Sequence, residues 1–442
     1  MSKISDDGLT SKIDEICKSF NYIPDEQWVQ KILQLKMVIE MRHGVMIVGP
    51  SGVGKSSALR TLKALYELDD GVKTVIYTID PKAVDKEGLY GVLDGTTLEW
   101  TDGIFTSLLR TILANQRGES ERRHWIVFDG DVDPEWAENL NSVLDDNKLL
   151  TLPSGERLNI PENVRIILEV DSLEQATPAT VSRCGMIWFS ADTVSIQMCL
   201  QHLLGEVRSE NLIGAETGDL SAIPSAQVSF LDAIQSMVVS DDPKASSLVQ
   251  DALDFALSSE GHIMDITREG LLKSLRSLIV KGIGLAIEYD ENHPDFPMSG
   301  QHMDNFARRW LLQSLLWSFS GSASWQVRGE LADLLLRSSG MMLPDDDEGG
   351  SLADYRVRSE NGEYELWSDS VPRMEIESHR VTATDVVVTT TDTVRHSEIL
   401  GAWLESRSPL ILCGPPGSGK TMTLTSVLQS VQGVVLASLN FS

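Results

Sequence analysis

The hydrophobic positions change their spacing several times along the chain. Over residues 1 to 40 they recur at helical intervals: Ile13, Ile16 and Cys17, then Val29, Ile32, Leu33, Leu35, Val38 and Ile39. Tyr22-Ile23-Pro24-Asp25-Glu26-Gln27-Trp28 interrupts this stripe, and Asp25 after the proline is placed to cap a second helix. From 45 to 190 short apolar runs alternate with helical segments. Strands are expected at 45–48, 74–79, 125–128, 164–170 and 186–189, with helices around 55–67, 101–116 and 135–146. Several runs are apolar at consecutive positions, which suits strands covered on both faces of a parallel sheet. The alternation implies a doubly wound α/β sheet. Residues 149–158, with Pro153-Ser154-Gly155 inside, predict a small hairpin.

From about 191 the strand signal fades. Leu271, Leu272, Leu275, Leu278 and Ile279, and later Leu311, Leu312, Leu315, Leu316 and Phe319, mark the core of a helical bundle extending to residue 340. A partner-binding helix is the minority alternative for these stripes. Pro344-Asp345-Asp346-Asp347-Glu348-Gly349-Gly350 is an acidic run with a glycine pair, so 341–375 is read as linker and connecting segment. Val381 to Val388 is rich in β-branched residues. Residues 376–442 repeat the earlier plan of helix, strand at 410–412, glycine-rich loop, helix and strand, so they are expected to be the incomplete start of a second α/β domain. The expected domains are therefore 1–190, 191–340, 341–375 and 376–442.

Two loops carry chemistry. Gly49-Pro50-Ser51-Gly52-Val53-Gly54-Lys55-Ser56, followed by Ser57, and Gly414-Pro415-Pro416-Gly417-Ser418-Gly419-Lys420-Thr421 both match the phosphate-loop pattern without a mismatch. In such a loop, backbone N–H groups and a helix N-terminus surround the β-phosphate, and the glycines let backbone approach closely. Lys55 and Lys420 would bridge phosphates, while Ser56 and Thr421 would ligate Mg²⁺. A glycine-rich turn without phosphate is the bland alternative, weakened by two independent occurrences. Asp129, ending the run Trp125-Ile126-Val127-Phe128, is the expected partner of that Mg²⁺. A hydrolysing ATPase of this type places Glu next, to polarise water; here Gly130 stands there, and Asp131 is one position further and shorter. The first site is therefore expected to bind ATP tightly and hydrolyse it slowly or not at all, since losing a positioned base costs about 10²–10⁴ in rate. Arg183, in Thr180-Val181-Ser182-Arg183-Cys184-Gly185, is a candidate arginine finger toward a neighbouring module's nucleotide, or an arginine paired with a local acid. Asp171, ending the run 164–170, is a candidate for the polar water-sensing residue of such ATPases.

Composition narrows the classes. A formal net charge of −28 argues against nucleic acid or any acidic polymer as a direct partner. No run of 18 apolar residues suggests a membrane span, and the polar, acidic start has no signal-peptide character. The four cysteines, Cys17, Cys184, Cys199 and Cys413, have no metal-ligand spacing and read as reduced thiols of a cytosolic protein. No Ser/His/Asp or Cys/His nucleophile arrangement stands out.

The chain resembles the motor region of dynein heavy chains, most closely the cytoplasmic type. The resemblance is carried by His43 through Ser56, Leu144 through Pro153, Ala176 through Met186, Asn292 through Met298, and Asp392-Thr393-Val394-Arg395-His396 with Pro409 through Thr421. It implies that residues 1 to 340 form the second of six AAA+ modules in one ring, with the third beginning near residue 355. It further implies an ATP-driven, minus-end-directed microtubule motor of the cytoplasm and cytoskeleton, using ATP/ADP and Mg²⁺. In that family the second module holds ATP structurally, the position of Arg183 reaches the first module's nucleotide, and the third module is regulatory. The neighbouring modules would be the direct partners; other complex subunits and microtubules would be met through regions outside this chain. The alternatives are a standalone non-hydrolysing ATP-binding scaffold and another giant ring ATPase of the midasin-like kind.

Overall fold

The computed structural model describes residues 7–97, 99–145, 147–212, 223–240, 246–344, 350–373, 389–431 and 435–439. The chain divides into two compact units, Met1–Cys199 and Leu200–Ser442.

In the first unit the strands are, in chain order, β1 (Gly44–Val48), β2 (Thr74–Ile79), β3 (Gly91–Leu93), β4 (Trp100–Asp102), β5 (Arg123–Asp129), β6 (Leu149–Thr151), β7 (Arg157–Asn159), β8 (Val164–Val170) and β9 (Gly185–Trp188). Five of them form a parallel sheet in the order β2-β5-β8-β1-β9, at the places where consecutive apolar runs occur. Alternation along each strand divides the buried side chains between two faces. Val45, Ile47, Trp125, Val127 and Ile167 pack against α1 (Asp7–Ser19), α2 (Glu26–Met41) and α3 (Lys55–Asp70). Met46, Val48, Ile126, Phe128, Ile166 and Leu168 pack on the opposite side, against the helix Ile104–Ala114 and the segment 134–144. Each such side chain contributes about 1.5–3 kcal/mol when fully buried. Asp25 does cap α2, accepting from the Gln27 amide. The hairpin at 149–159 also forms.

Two predicted helices are broken. The segment 101–116 begins as β4, paired antiparallel with β3, and turns helical only at Ile104. The stretch 135–146 splits into the short helices Pro134–Ala137 and Asn141–Leu144 around a 3₁₀ turn. Its Trp136 carbonyl accepts the Tyr90 hydroxyl at 2.7 Å. That bond ties the first turn to the core instead of to a continuing helix.

The second unit contains the helices Ser225–Val238, Leu248–Ser258, Arg268–Asn292, Gly300–Ser320 and Trp325–Ser339. Leu271, Leu275, Leu278, Ile279, Leu311, Leu315 and Phe319 are buried as the helical spacing requires. The stretch expected as connecting segment is partly folded. Residues 352–370 form a turn, the hairpin β10 (Tyr355–Val357) and β11 (Tyr364–Leu366), and a further turn. Leu352, Tyr355, Val357 and Trp367 are buried there, and Gln313 donates to the Leu352 carbonyl at 2.9 Å. The acidic run hid this because the apolar residues that anchor the segment follow it. Farther on, Thr391–Glu405 and Lys420–Ser430 are helices, but Leu410-Ile411-Leu412 is not a strand and Ile411 is 75% exposed. A lone apolar run has no ladder to join, and no neighbouring strand is present among the described residues of this part. No strand occurs in 435–439 either, and Val381–Val388 lies outside the described residues.

The described cysteines are free; burial pushes the Cys17 and Cys184 thiols up to about 12, so both are unreactive. Among the described residues no helix is long and apolar enough to cross a membrane.

Candidate nucleotide site

The first loop leaves β1, an interior strand, and runs into α3. The Gly49 amide donates to the Val170 carbonyl at 3.1 Å, tying the loop to β8. A Cβ on Gly49 would sit 2.1 Å from the Phe189 carbonyl oxygen, so only glycine lets the two backbones pass. Val53 is buried beneath the loop, whereas Pro50, Ser51 and Ser56 are exposed and Gly52, Gly54 and Ser57 are half-buried. The Trp28 indole donates to the Gly54 carbonyl at 3.3 Å, bracing the loop from α2. Lys55 is buried. Its Nζ donates to the Gly49 carbonyl, to the Pro50 carbonyl at 3.2 Å and to Asp171 Oδ1 at 2.8 Å. The ammonium is thus held inside the curl of the loop, where phosphate oxygens would lie.

Three acids stand beside this loop. Asp129 ends β5 and is exposed; Glu169 is its register partner on β8. Asp171 follows β8 and meets Lys55, so the sensor candidate does sit at the loop. Glu169 was missed by sequence reasoning, although a lone acid in the apolar run Val164–Val170 is an anomaly that marks it. It is 7% exposed and accepts the Ser56 hydroxyl at 2.6 Å. Burial pushes its carboxyl above the ordinary range; the Ser56 hydrogen bond opposes this, and the Asp129 charge adds to it. Hard oxygen donors of this kind suit Mg²⁺, which is usually held by one or two carboxylates plus substrate phosphates and keeps several waters. Ser56 and Asp129 would hold the ion, whose charge would offset that of the phosphates. Among the described residues no group of three or more His, Cys, Asp or Glu forms a ready-made metal site.

The two positions after Asp129 both differ from the expected glutamate. Gly130 has no side chain, and its φ of +147° is one that other residues rarely adopt. Asp131 is engaged elsewhere, in an ion pair with Lys82. Arg183 ends the helix Pro178–Arg183, which Thr177 caps. Its Nε meets Asp145 at 2.5 Å and its Nη1 donates to the Ala179 carbonyl at 2.6 Å. The local-acid pairing anticipated as the alternative is therefore present.

In the second unit the loop Gly414–Thr421 repeats the first in detail. Gly417 and Gly419 have φ of +81° and +76°, against +78° and +84° at Gly52 and Gly54. Lys420 Nζ donates to the Gly414 and Pro415 carbonyls, both at 2.7 Å, and to the Ser418 hydroxyl at 3.3 Å. Pro416 and Thr421 are exposed, and no ion pair from Lys420 to an acid occurs among the described residues.

A parallel sheet in this strand order, a phosphate loop leaving its interior strand, and a helical unit next in the chain define a P-loop AAA+ protein. Comparison with known families is more specific. The family model for the AAA domain of the dynein-related subfamily matches residues 44–184, and that for the dynein heavy chain AAA lid domain matches 243–369. The P-loop containing dynein motor region matches 375–442. The hydrolytic ATP binding site of the dynein motor region matches 1–56, ending at Ser56 before the strand that carries Asp129. Cytoplasmic dynein heavy chains of Drosophila melanogaster and Fusarium vanettenii are each 45% identical over 98% and 99% of this chain, and that of Dictyostelium discoideum is 42% identical over all of it. The chain belongs to the dynein heavy chain family, as a nucleotide-binding segment of motor-region type. It spans about 10% of the length of those relatives.

Proposed function

We propose that the first site is an ATP clamp: it binds MgATP and hydrolyses it with negligible turnover, within a ring that drives minus-end-directed movement on microtubules in the cytoplasm. The observation that carries this is Gly130 after Asp129, together with the engagement of Asp131 by Lys82. Lys55, Ser56 and Asp129 bind and orient the triphosphate and its metal, and Asp171 contacts the γ-phosphate end through Lys55. Gly130 has no side chain and Asp131 is paired with Lys82, so neither takes the place of the missing glutamate. With a typical kcat of about 10 s⁻¹ reduced by about 10²–10⁴, turnover is expected near 0.001–0.1 s⁻¹ or below. Phosphate release by the purified chain under saturating MgATP tests this; release at several per second would sink it.

The second site is proposed to be regulatory. The direct partners are then neighbouring AAA+ modules, with other motor subunits and microtubules met through other regions. Arg183 is proposed to leave Asp145 and reach the nucleotide of the preceding module. Arg183→Ala in the intact motor is expected to slow hydrolysis there by about 10³-fold or more, while ATP binding to this chain is unchanged. Normal motor turnover in that variant would remove the assignment.

A further inference from the structure

We infer that Glu169 is a second acid of the metal site beside Asp129, positioning Ser56 and the water shell of Mg²⁺, so that the first site binds nucleotide more tightly as its magnesium complex. This rests on the reading of the site as a MgATP clamp.

Topology puts Glu169 there. β8 lies between β1, which feeds the phosphate loop, and β5, which ends in Asp129. Glu169 is in register with Ile47 on one side and Asp129 on the other. Alternation places it on the face of Ile167, the face that packs on the α3 side of the sheet. Parallel strands run about 4.8 Å apart, so two carboxylates at one register position sit side by side at the sheet's C-terminal edge. Glu169 is 7% exposed, on the face it shares with Ile167. A buried carboxylate is costly unless it is paired or coordinates a metal. Among the described residues its one hydrogen bond from a side chain is that of Ser56, the proposed metal-ligating hydroxyl, at 2.6 Å. Lys55, whose charge acts on Glu169, is itself paired with Asp171. A carboxylate that fixes a metal-ligating hydroxyl and accepts from metal-bound water orients the coordination sphere, and losing such a partner typically costs about 10–100-fold in metal affinity. Asp171 answers the lysine and Glu169 answers the metal, so the two acids divide the loop's two cationic centres.

The test is a titration of the full chain with a fluorescent ATP analogue at controlled free Mg²⁺ and in EDTA. Glu169→Gln keeps the shape and an acceptor for Ser56 but removes the charge. It is expected to raise the half-saturating Mg²⁺ concentration about 10-fold or more, while affinity in EDTA stays the same or tightens, because a negative charge near the phosphates is gone. An unchanged Mg²⁺ midpoint, or equal weakening with and without Mg²⁺, would overturn the inference and leave Glu169 as a packing residue. If Glu169→Gln does not fold, Glu169→Asp takes its place; a Mg²⁺ midpoint equal to the parent's would overturn the inference in the same way. Wild-type chain that binds no nucleotide at any Mg²⁺ level would overturn the clamp reading itself, whereas Mg²⁺-dependent wild type with unaltered variants would overturn only the role of Glu169.

Discussion

Lys55→Ala removes the stabilisation that MgATP gives the first unit. A buried, hydrogen-bonded charge that contacts its ligand is worth about 2–5 kcal/mol, so ATP affinity is expected to fall by about 30-fold to several thousandfold. A ligand at about 100 times its dissociation constant stabilises the folded state by about 2.7 kcal/mol. At about 2–4 °C per kcal/mol for a unit of this size, the variant melts about 5–10 °C lower than the parent in saturating MgATP. Without nucleotide the two are expected to melt within about 4 °C, because the Lys55 partner Asp171 is largely exposed and such a pair contributes about 0–1 kcal/mol. Thermal melts with and without MgATP check both halves. Equal melting in saturating ATP would mean that the nucleotide does not stabilise the fold.

Gly49→Ala acts on the scaffold and not on the ligand. The new methyl would lie 2.1 Å from the Phe189 carbonyl oxygen, and that contact is backbone, which cannot rotate away. Relief requires the exit of β9 to move, and with it the 2.7 Å bond from the Phe189 amide to the Val48 carbonyl. Overpacking costs about 1–3 kcal/mol, and loss of a hydrogen bond about 1 kcal/mol more. The expected result is a unit destabilised by about 2–4 kcal/mol in the absence of nucleotide, with ATP binding lost as well. Lys55→Ala should leave the nucleotide-free melt almost unmoved, so chemical denaturation of the two variants separates the ligand contact from the loop's architecture. A Gly49→Ala chain as stable as the parent would contradict the close packing of loop and edge strand.

The sheet was legible because its inner strands β1, β5 and β8 are buried on both faces, and continuous apolar runs such as Val45–Val48 have few other uses. The phosphate loops were legible because glycine spacing, lysine and hydroxyl follow directly from phosphate chemistry. What escaped was fixed by tertiary contact. The Trp136 carbonyl bonds to Tyr90, 46 residues earlier in the sequence, and no local period reports that. The anchors of 352–370 sit behind an acidic run whose composition dominated the reading. The run 410–412 has strand composition, yet a strand exists only with a neighbour, and none is described beside it. Glu169 was visible as an acid inside an apolar strand, but its pairing with Ser56 depends on which strand lies between β1 and β5, and the order β2-β5-β8-β1-β9 is not written in any one segment.

The central claim, that Gly130 and the engaged Asp131 leave the first site a clamp, is tested most directly by what the chain carries. It is purified without added nucleotide, denatured, and the released nucleotide separated by chromatography. Stoichiometric ATP is the predicted result, since a site that binds tightly and lacks a base keeps its triphosphate intact. Stoichiometric ADP, with measurable phosphate release on adding ATP, would contradict it and place a working base at a site where Gly130 and Asp131 provide none.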